Sequence, residues 1–197
     1  MPTTLTRLCV FCGTNAGARP EYGTAARELG TLLAAEDIEL VYGGASVGIM
    51  GELADAVQEA GGHVTGIIPQ NLIQKEAAHR GIQDLIVVAS MHQRKSQMAD
   101  LSDGFIALPG GIGTLEGFFE ILTWGQLGIH AKPCGILNTA GYFDALSAFL
   151  DHAVKEDFLT EAHRATIMVE STPAALLQRL RAYQPPEGKP LMGRANR

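Results

Sequence analysis

Gly104-Phe105-Ile106-Ala107-Leu108-Pro109-Gly110-Gly111-Ile112-Gly113-Thr114-Leu115-Glu116 passes from a short apolar run, through a proline and three glycines, into a segment with helical spacing. An apolar run of strand length that enters a helix at once is the strand-to-helix turn of an α/β protein. Three glycines within four positions remove side chains from that turn, so backbone N–H groups and the Thr114 hydroxyl can surround phosphate oxygens at a helix N-terminus. The loop is not a Walker A motif, because no Lys-Ser/Thr follows. Gly111-x-Gly113-x-x-x-Gly117 also misses the dinucleotide fingerprint by one residue. Kinase and dehydrogenase readings both weaken.

The same alternation extends in both directions. Strands are expected at 8–11, 38–42, 63–68, 85–89, 104–108, 133–137 and 165–169, and helices at 21–35, 49–60, 92–101, 114–127, 142–156 and 173–182. Pro20 and Pro173 stand near two helix starts, where proline is well tolerated. About seven strands alternating with helices predict an α/β, Rossmann-like, doubly wound and mostly parallel sheet flanked by helices. Residues 1–183 read as a single domain. Residues 184–197, with two adjacent prolines and no periodicity, read as a loose C-terminal tail. Ligands of open α/β sheets bind beyond the carboxyl ends of the strands, so function is sought in the loops that follow them.

Composition narrows the partners. The 197-residue chain has a formal net charge of −6, which argues against binding a nucleic acid polymer or an anionic membrane, and its 23 glycines exceed the roughly 7% average. No apolar run approaches the ~20 residues of a membrane span, and the N-terminus is too short in apolar residues for a signal-peptide core, so a cytoplasmic protein is expected. Cys9 and Cys12 form a C-x-x-C, but residues three apart on a strand point to opposite faces, so they are expected to be ordinary thiols, as is Cys134.

Three further loops carry candidate residues. Phe11-Cys12-Gly13-Thr14 follows the first strand, where Gly13 permits close backbone approach and Thr14 can donate a hydrogen bond. Tyr42-Gly43-Gly44-Ala45-Ser46-Val47-Gly48-Ile49-Met50-Gly51 joins the second strand to a helix whose free N–H groups could face phosphate or ribose. Gly44-x-Ser46-x-Gly48 also fits a nucleophile elbow, but the serine follows only the second strand and no histidine sits convincingly after a late strand. Ser90-Met91-His92-Gln93-Arg94-Lys95 places two cations near a helix start, against the helix dipole, which points to an anionic partner or carboxylate. Glu116 is read in the first turn of its helix, where the dipole keeps a carboxylate ionised, and it shares a face with Glu120 and Thr123. No metal-ligand spacing occurs, so neither a catalytic metal nor another cofactor is expected.

Together, Met91-His92-Gln93-Arg94-Lys95 and Pro109-Gly110-Gly111-Ile112-Gly113-Thr114-Leu115-Glu116 closely resemble the LOG ("lonely guy") family of phosphoribohydrolases. The resemblance also covers Phe11–Thr14, Tyr42-Gly43-Gly44, Gly48-x-Met50-Gly51, Glu76 with His79, and Thr123-Trp124-x-Gln126-Leu127-Gly128-x-His130-x-Lys132-Pro133. It implies a Rossmann-like homodimer that cleaves a cytokinin riboside 5′-monophosphate, or AMP, to free base and ribose 5-phosphate. It further implies catalytic roles for Arg94 and Glu116. Substrate contacts are implied for Gly13, Thr14, Gly43, Gly44, Met50, Glu76, Lys95, Gly110, Gly111, Ile112, Gly113, Thr114, Leu115, Gly117 and Thr123. The sequence departs from the family at Gly117, where many relatives carry a second glutamate, and at Gly125, where alanine is frequent. Members have carried the label lysine decarboxylase, yet no lysine setting of a pyridoxal-phosphate enzyme is recognisable.

The reaction builds positive charge on the ribose, so Glu116 is expected to stabilise that cation and align water, with Arg94 positioning Glu116 and substrate. A carrier that binds a nucleotide or a pterin-type cofactor without hydrolysis is the alternative. The apolar segment Phe118–Ile129 exceeds one sheet-facing stripe and supports the homodimer.

Overall fold

The computed structural model describes residues 4–185. Its strands are β1 (Arg7–Phe11), β2 (Glu39–Tyr42), β3 (Val64–Pro69), β4 (Asp84–Val88), β5 (Gly104–Ala107), β6 (Cys134–Leu137) and β7 (Ile167–Glu170). They form one parallel sheet in the order β4-β3-β2-β1-β5-β6-β7. The strand order reverses at β1, which pairs with β2 on one side and β5 on the other. A crevice therefore opens above β1, where chains leaving β1 and β5 turn towards opposite faces.

The helices are α1 (Pro20–Ala35), α2 (Gly48–Glu59), α3 (Met91–Leu101), α4 (Ile112–Gln126), α5 (Asp144–Lys155), α6 (Glu161–Ala165) and α7 (Pro173–Ala182). Leu29, Leu33, Leu53, Val57, Leu176 and Leu180 of α1, α2 and α7 pack on one sheet face. Met98, Phe118, Ile121, Leu122 and Leu150 of α3, α4 and α5 pack on the other. Each such side chain contributes about 1.5–3 kcal/mol when fully buried, which makes the two apolar layers the main stabilising feature. Cys12 lies in the first layer and Cys9 in the second, as the alternation of a strand dictates.

The expected elements all form, with shifted ends. Ser90 caps α3 by accepting a hydrogen bond from Gln93 N, so the helix starts at Met91. Helix α5 starts later than expected because Ala140 and Gly141, at φ 52° and 72°, turn the chain first. At the opposite sheet edge, the Asp103 carboxylate accepts hydrogen bonds from Thr6 N, Thr6 Oγ1 and Arg7 N at 2.8, 2.7 and 2.9 Å. Partial burial alone would raise the Asp103 carboxyl, but those bonds outweigh it and hold it below the ordinary aspartate range. Among the described residues no helix is long and apolar enough to cross a membrane. Of the expected tail, residues 186–197 lie outside the described residues.

Candidate active site

A cavity of about 500 Å³ occupies the crevice above β1. One wall is the β5–α4 loop. Gly111 is the N-cap of α4 and offers no side-chain cap, so the first N–H groups of the helix depend on a ligand or water. A Cβ at Gly111 or Gly113 would meet nothing within 4 Å, whereas one at Gly110 would collide with Thr114 Oγ1 and Gly13 N. The loop is tied to its neighbours: Gly13 N donates to Pro109 O at 3.1 Å, and Met50 N donates to Gly13 O at 3.2 Å.

The other wall carries the charges. Arg94 is only 6% exposed. Its Nε donates to Ile67 O at 3.0 Å, and its Nη2 donates to Gly43 O at 2.5 Å and to Glu76 Oε2 at 3.1 Å. Its Nη1 faces Met91 Sδ at 3.7 Å, and a buried guanidinium requires partners of this kind. Glu76 reaches it from the segment after β3, which is fastened to the β2–α2 loop by Ser46 N to Ala77 O and His79 N to Gly44 O. Lys95, equally buried, places Nζ 2.5 Å from Glu116 Oε1 and 2.9 Å from Glu120 Oε2. Burial alone would lower the Lys95 ammonium, but hydrogen bonds to the two glutamates outweigh it and hold it above the ordinary lysine value.

Residues 50–180 match the family model described as "Possible lysine decarboxylase". Over 183 residues the chain is 49% identical to a "Probable cytokinin riboside 5'-monophosphate phosphoribohydrolase" of Oryza sativa subsp. japonica, covering 93% of this chain and 73% of the relative. The chain belongs to the LOG family. A cytokinin riboside 5'-monophosphate phosphoribohydrolase of Arabidopsis thaliana is 48% identical over 179 residues, covering 91% of this chain and 84% of its own. The fold extends beyond the LOG family. A Moco carrier protein from Chlamydomonas reinhardtii superposes with a TM-score of 0.67 at 22% identity, over 91% of this chain and 99% of that one. A molybdenum cofactor binding protein from Rippkaea orientalis gives 0.68 at 23%, over 91% and 97%.

Of the site residues expected for a LOG protein, Gly13, Thr14, Gly43, Met50, Glu76, Arg94 and Lys95 line the cavity, as do Gly110 to Thr114, Glu116 and Gly117. Gly44, Leu115 and Thr123 do not. Gly44 adopts φ 78° in the turn after β2, Leu115 packs on the core beneath α4, and Thr123 is exposed with its hydroxyl returned to Phe119 O at 2.8 Å. Two expectations about geometry need correction. Arg94 holds Glu76 rather than Glu116, which Lys95 holds instead. Glu116 is also the fifth residue of α4, past the first turn, because the helix begins at Ile112.

Several lining residues were missed from sequence: Tyr22, Met91, Met98 and Tyr142 among them. Glu120, which completes the Lys95 cluster, was signalled by its i, i+4 spacing from Glu116. Ser46 does not line the cavity, and its Oγ donates to Ala77 O at 2.7 Å. No histidine lines the cavity; His79 faces Asp55, and His130 is packed against Ile121 O. The nucleophile elbow is therefore not assembled. Cys12 does line the cavity, but burial pushes its thiol up to about 12. Among the described residues no group of three or more His, Cys, Asp and Glu is placed to hold a metal ion.

Proposed function

We propose that the chain hydrolyses the N-glycosidic bond of an adenine-type nucleoside 5′-monophosphate, such as a cytokinin riboside 5′-monophosphate or AMP, releasing free base and ribose 5-phosphate. One observation carries this reading: the uncapped glycine start of α4, the Arg94–Glu76 pair and the Lys95-held Glu116 all face one cavity. The relatives' names support it.

The N–H groups of α4's first turn, with Thr114 and the Gly13–Thr14 loop, receive the 5′-phosphate, where the helix dipole favours negative charge. As the C1′–N bond breaks, its electron pair leaves with the base and positive charge develops on the ribose. Glu116 stabilises that charge and accepts a proton from the water that attacks C1′, passing it on to solvent, while the departing base takes up a proton from solvent and is released neutral. Lys95 engages Oε1 of Glu116, which fixes the carboxylate and leaves Oε2 for the water. Glu120 offsets the Lys95 charge, so the cluster of one cation and two carboxylates remains net negative beside the forming cation. Arg94 and Glu76 form the opposite rim and orient the ribose.

The chemistry of Lys95 opposes a decarboxylase reading. A Schiff-base lysine must be able to lose its proton, and this one is held charged by two carboxylates. The protein is further proposed to act as a homodimer in the cytoplasm. Phe118, Ile121 and Leu122 are consumed by the monomer's own core and Phe119 and Trp124 pack partly against it, but Leu127 stays half-buried and Ile129 is 41% exposed, leaving an apolar patch just past the C-terminal end of α4. Free, buried thiols suit a reducing compartment.

Incubation with N6-isopentenyl-AMP and AMP, followed by chromatography, should give free base and ribose 5-phosphate, with little turnover of the unphosphorylated ribosides. Tight binding without turnover would make the protein a carrier and overturn the hydrolase reading.

A further inference from the structure

Tyr142 enters the cavity wall from the β6–α5 connection, a segment without any sequence motif. Its hydroxyl donates to the carbonyl oxygen of Gly110 at 2.6 Å. Its ring stands edge-on to Tyr22 of α1, with centroids 5.4 Å apart, and to Phe143 at 4.8 Å. The connection is itself held: Asn138 accepts from Phe143 N and donates to Asp144 Oδ1, both at 2.7 Å, and Arg19 donates to Ala140 O. The left-handed Ala140 and Gly141 turn the chain so that the next residue reaches the glycine loop.

The accepted carbonyl matters because it shares a peptide plane with the N–H of Gly111. That plane is rigid and trans, so fixing the direction of the carbonyl fixes the N–H to the opposite direction. Without this restraint a Gly-Gly peptide is the one most able to flip, since neither flanking residue limits φ or ψ. A flipped peptide would present an oxygen where an anion needs a donor.

We propose that Tyr142 is a positioning residue of the phosphate cradle, locking the Gly110–Gly111 peptide in the orientation that receives the 5′-phosphate. This rests on the phosphate placement proposed above. Tyr142→Phe keeps the ring contacts and removes only the hydroxyl, so it is expected to melt within a few degrees of wild type. Ribose 5-phosphate affinity, measured by titration calorimetry, should fall about 3- to 10-fold, the worth of one hydrogen bond. In steady-state assays KM for the monophosphate should rise by a similar factor while kcat stays within about twofold. Equal ribose 5-phosphate affinity in the two proteins overturns the role of Tyr142 and leaves the hydrolase reading standing. Weakened affinity in a protein that never turns over a nucleotide supports the role and overturns the hydrolase reading instead. A kcat loss at unchanged affinity also overturns the proposal, because it would place the hydroxyl on the reacting atoms.

Discussion

Nη2 of Arg94 lies where a side chain at position 43 would have to be: a Cβ built on Gly43 falls 2.2 Å from it, while the Gly43 carbonyl accepts its hydrogen bond. The glycine and the arginine thus require each other. Gly43→Ala should displace the guanidinium and lower kcat/KM by about 10²-fold, the typical cost of misplacing a group by an ångström. Wild-type kcat/KM in this variant would show that the placement of Arg94 is not used in turnover.

Glu116→Gln keeps size but removes the charge proposed to face the ribose cation, and a loss of about 10² in kcat is expected. Arg94→Lys replaces a planar fork, whose Nε reaches Ile67 O while Nη2 reaches Gly43 O and Glu76, with a single point donor, so it should also be severely impaired. If both residues serve one transition state, the double variant loses much less than the product of the two single losses. Multiplicative losses in single-turnover experiments would separate their roles.

The three thiols should be silent in the native protein. Burial raises all of them, and pushes Cys12 and Cys134 up to about 12, so at pH 8 almost none is thiolate. Reaction with iodoacetamide at pH 8 should leave all three unmodified by mass spectrometry until denaturant is added. Rapid alkylation of Cys12 in the folded state would contradict its burial beneath the cavity.

The fold was legible because each glycine-marked loop separates an apolar run from a segment of helical spacing, and such punctuation survives without tertiary information. Cavity residues between β5 and α4 were legible for the same reason. Partner choice was not. Arg94 and Lys95 are adjacent in sequence, yet one step along a helix turns a side chain by about 100°, which sends one to Glu76 and the other to Glu116. Tyr142 was invisible because its role depends on two left-handed residues before it, and only one of them is the glycine that would announce such a turn. The start of α4 was misplaced by two residues because Ile112 and Gly113 belong by composition to the loop and by hydrogen bonding to the helix.

Gly113 is the second residue of α4, where alanine would favour the helix by less than the roughly 1 kcal/mol of an interior position. Its neighbours in the same helix have packing reasons to lack a side chain, since Phe11 fills the space beside Gly117 and His130 that beside Gly125. Beside Gly113 there is only open cavity. The glycine is thus a point where folding and ligand binding select opposite residues. Gly113→Ala should melt at a higher temperature than the native chain and bind the monophosphate less well, yielding a hardened but disabled protein. A directed-evolution library selected for thermostability alone should therefore drift towards alanine at this position, and a selection for turnover should restore glycine.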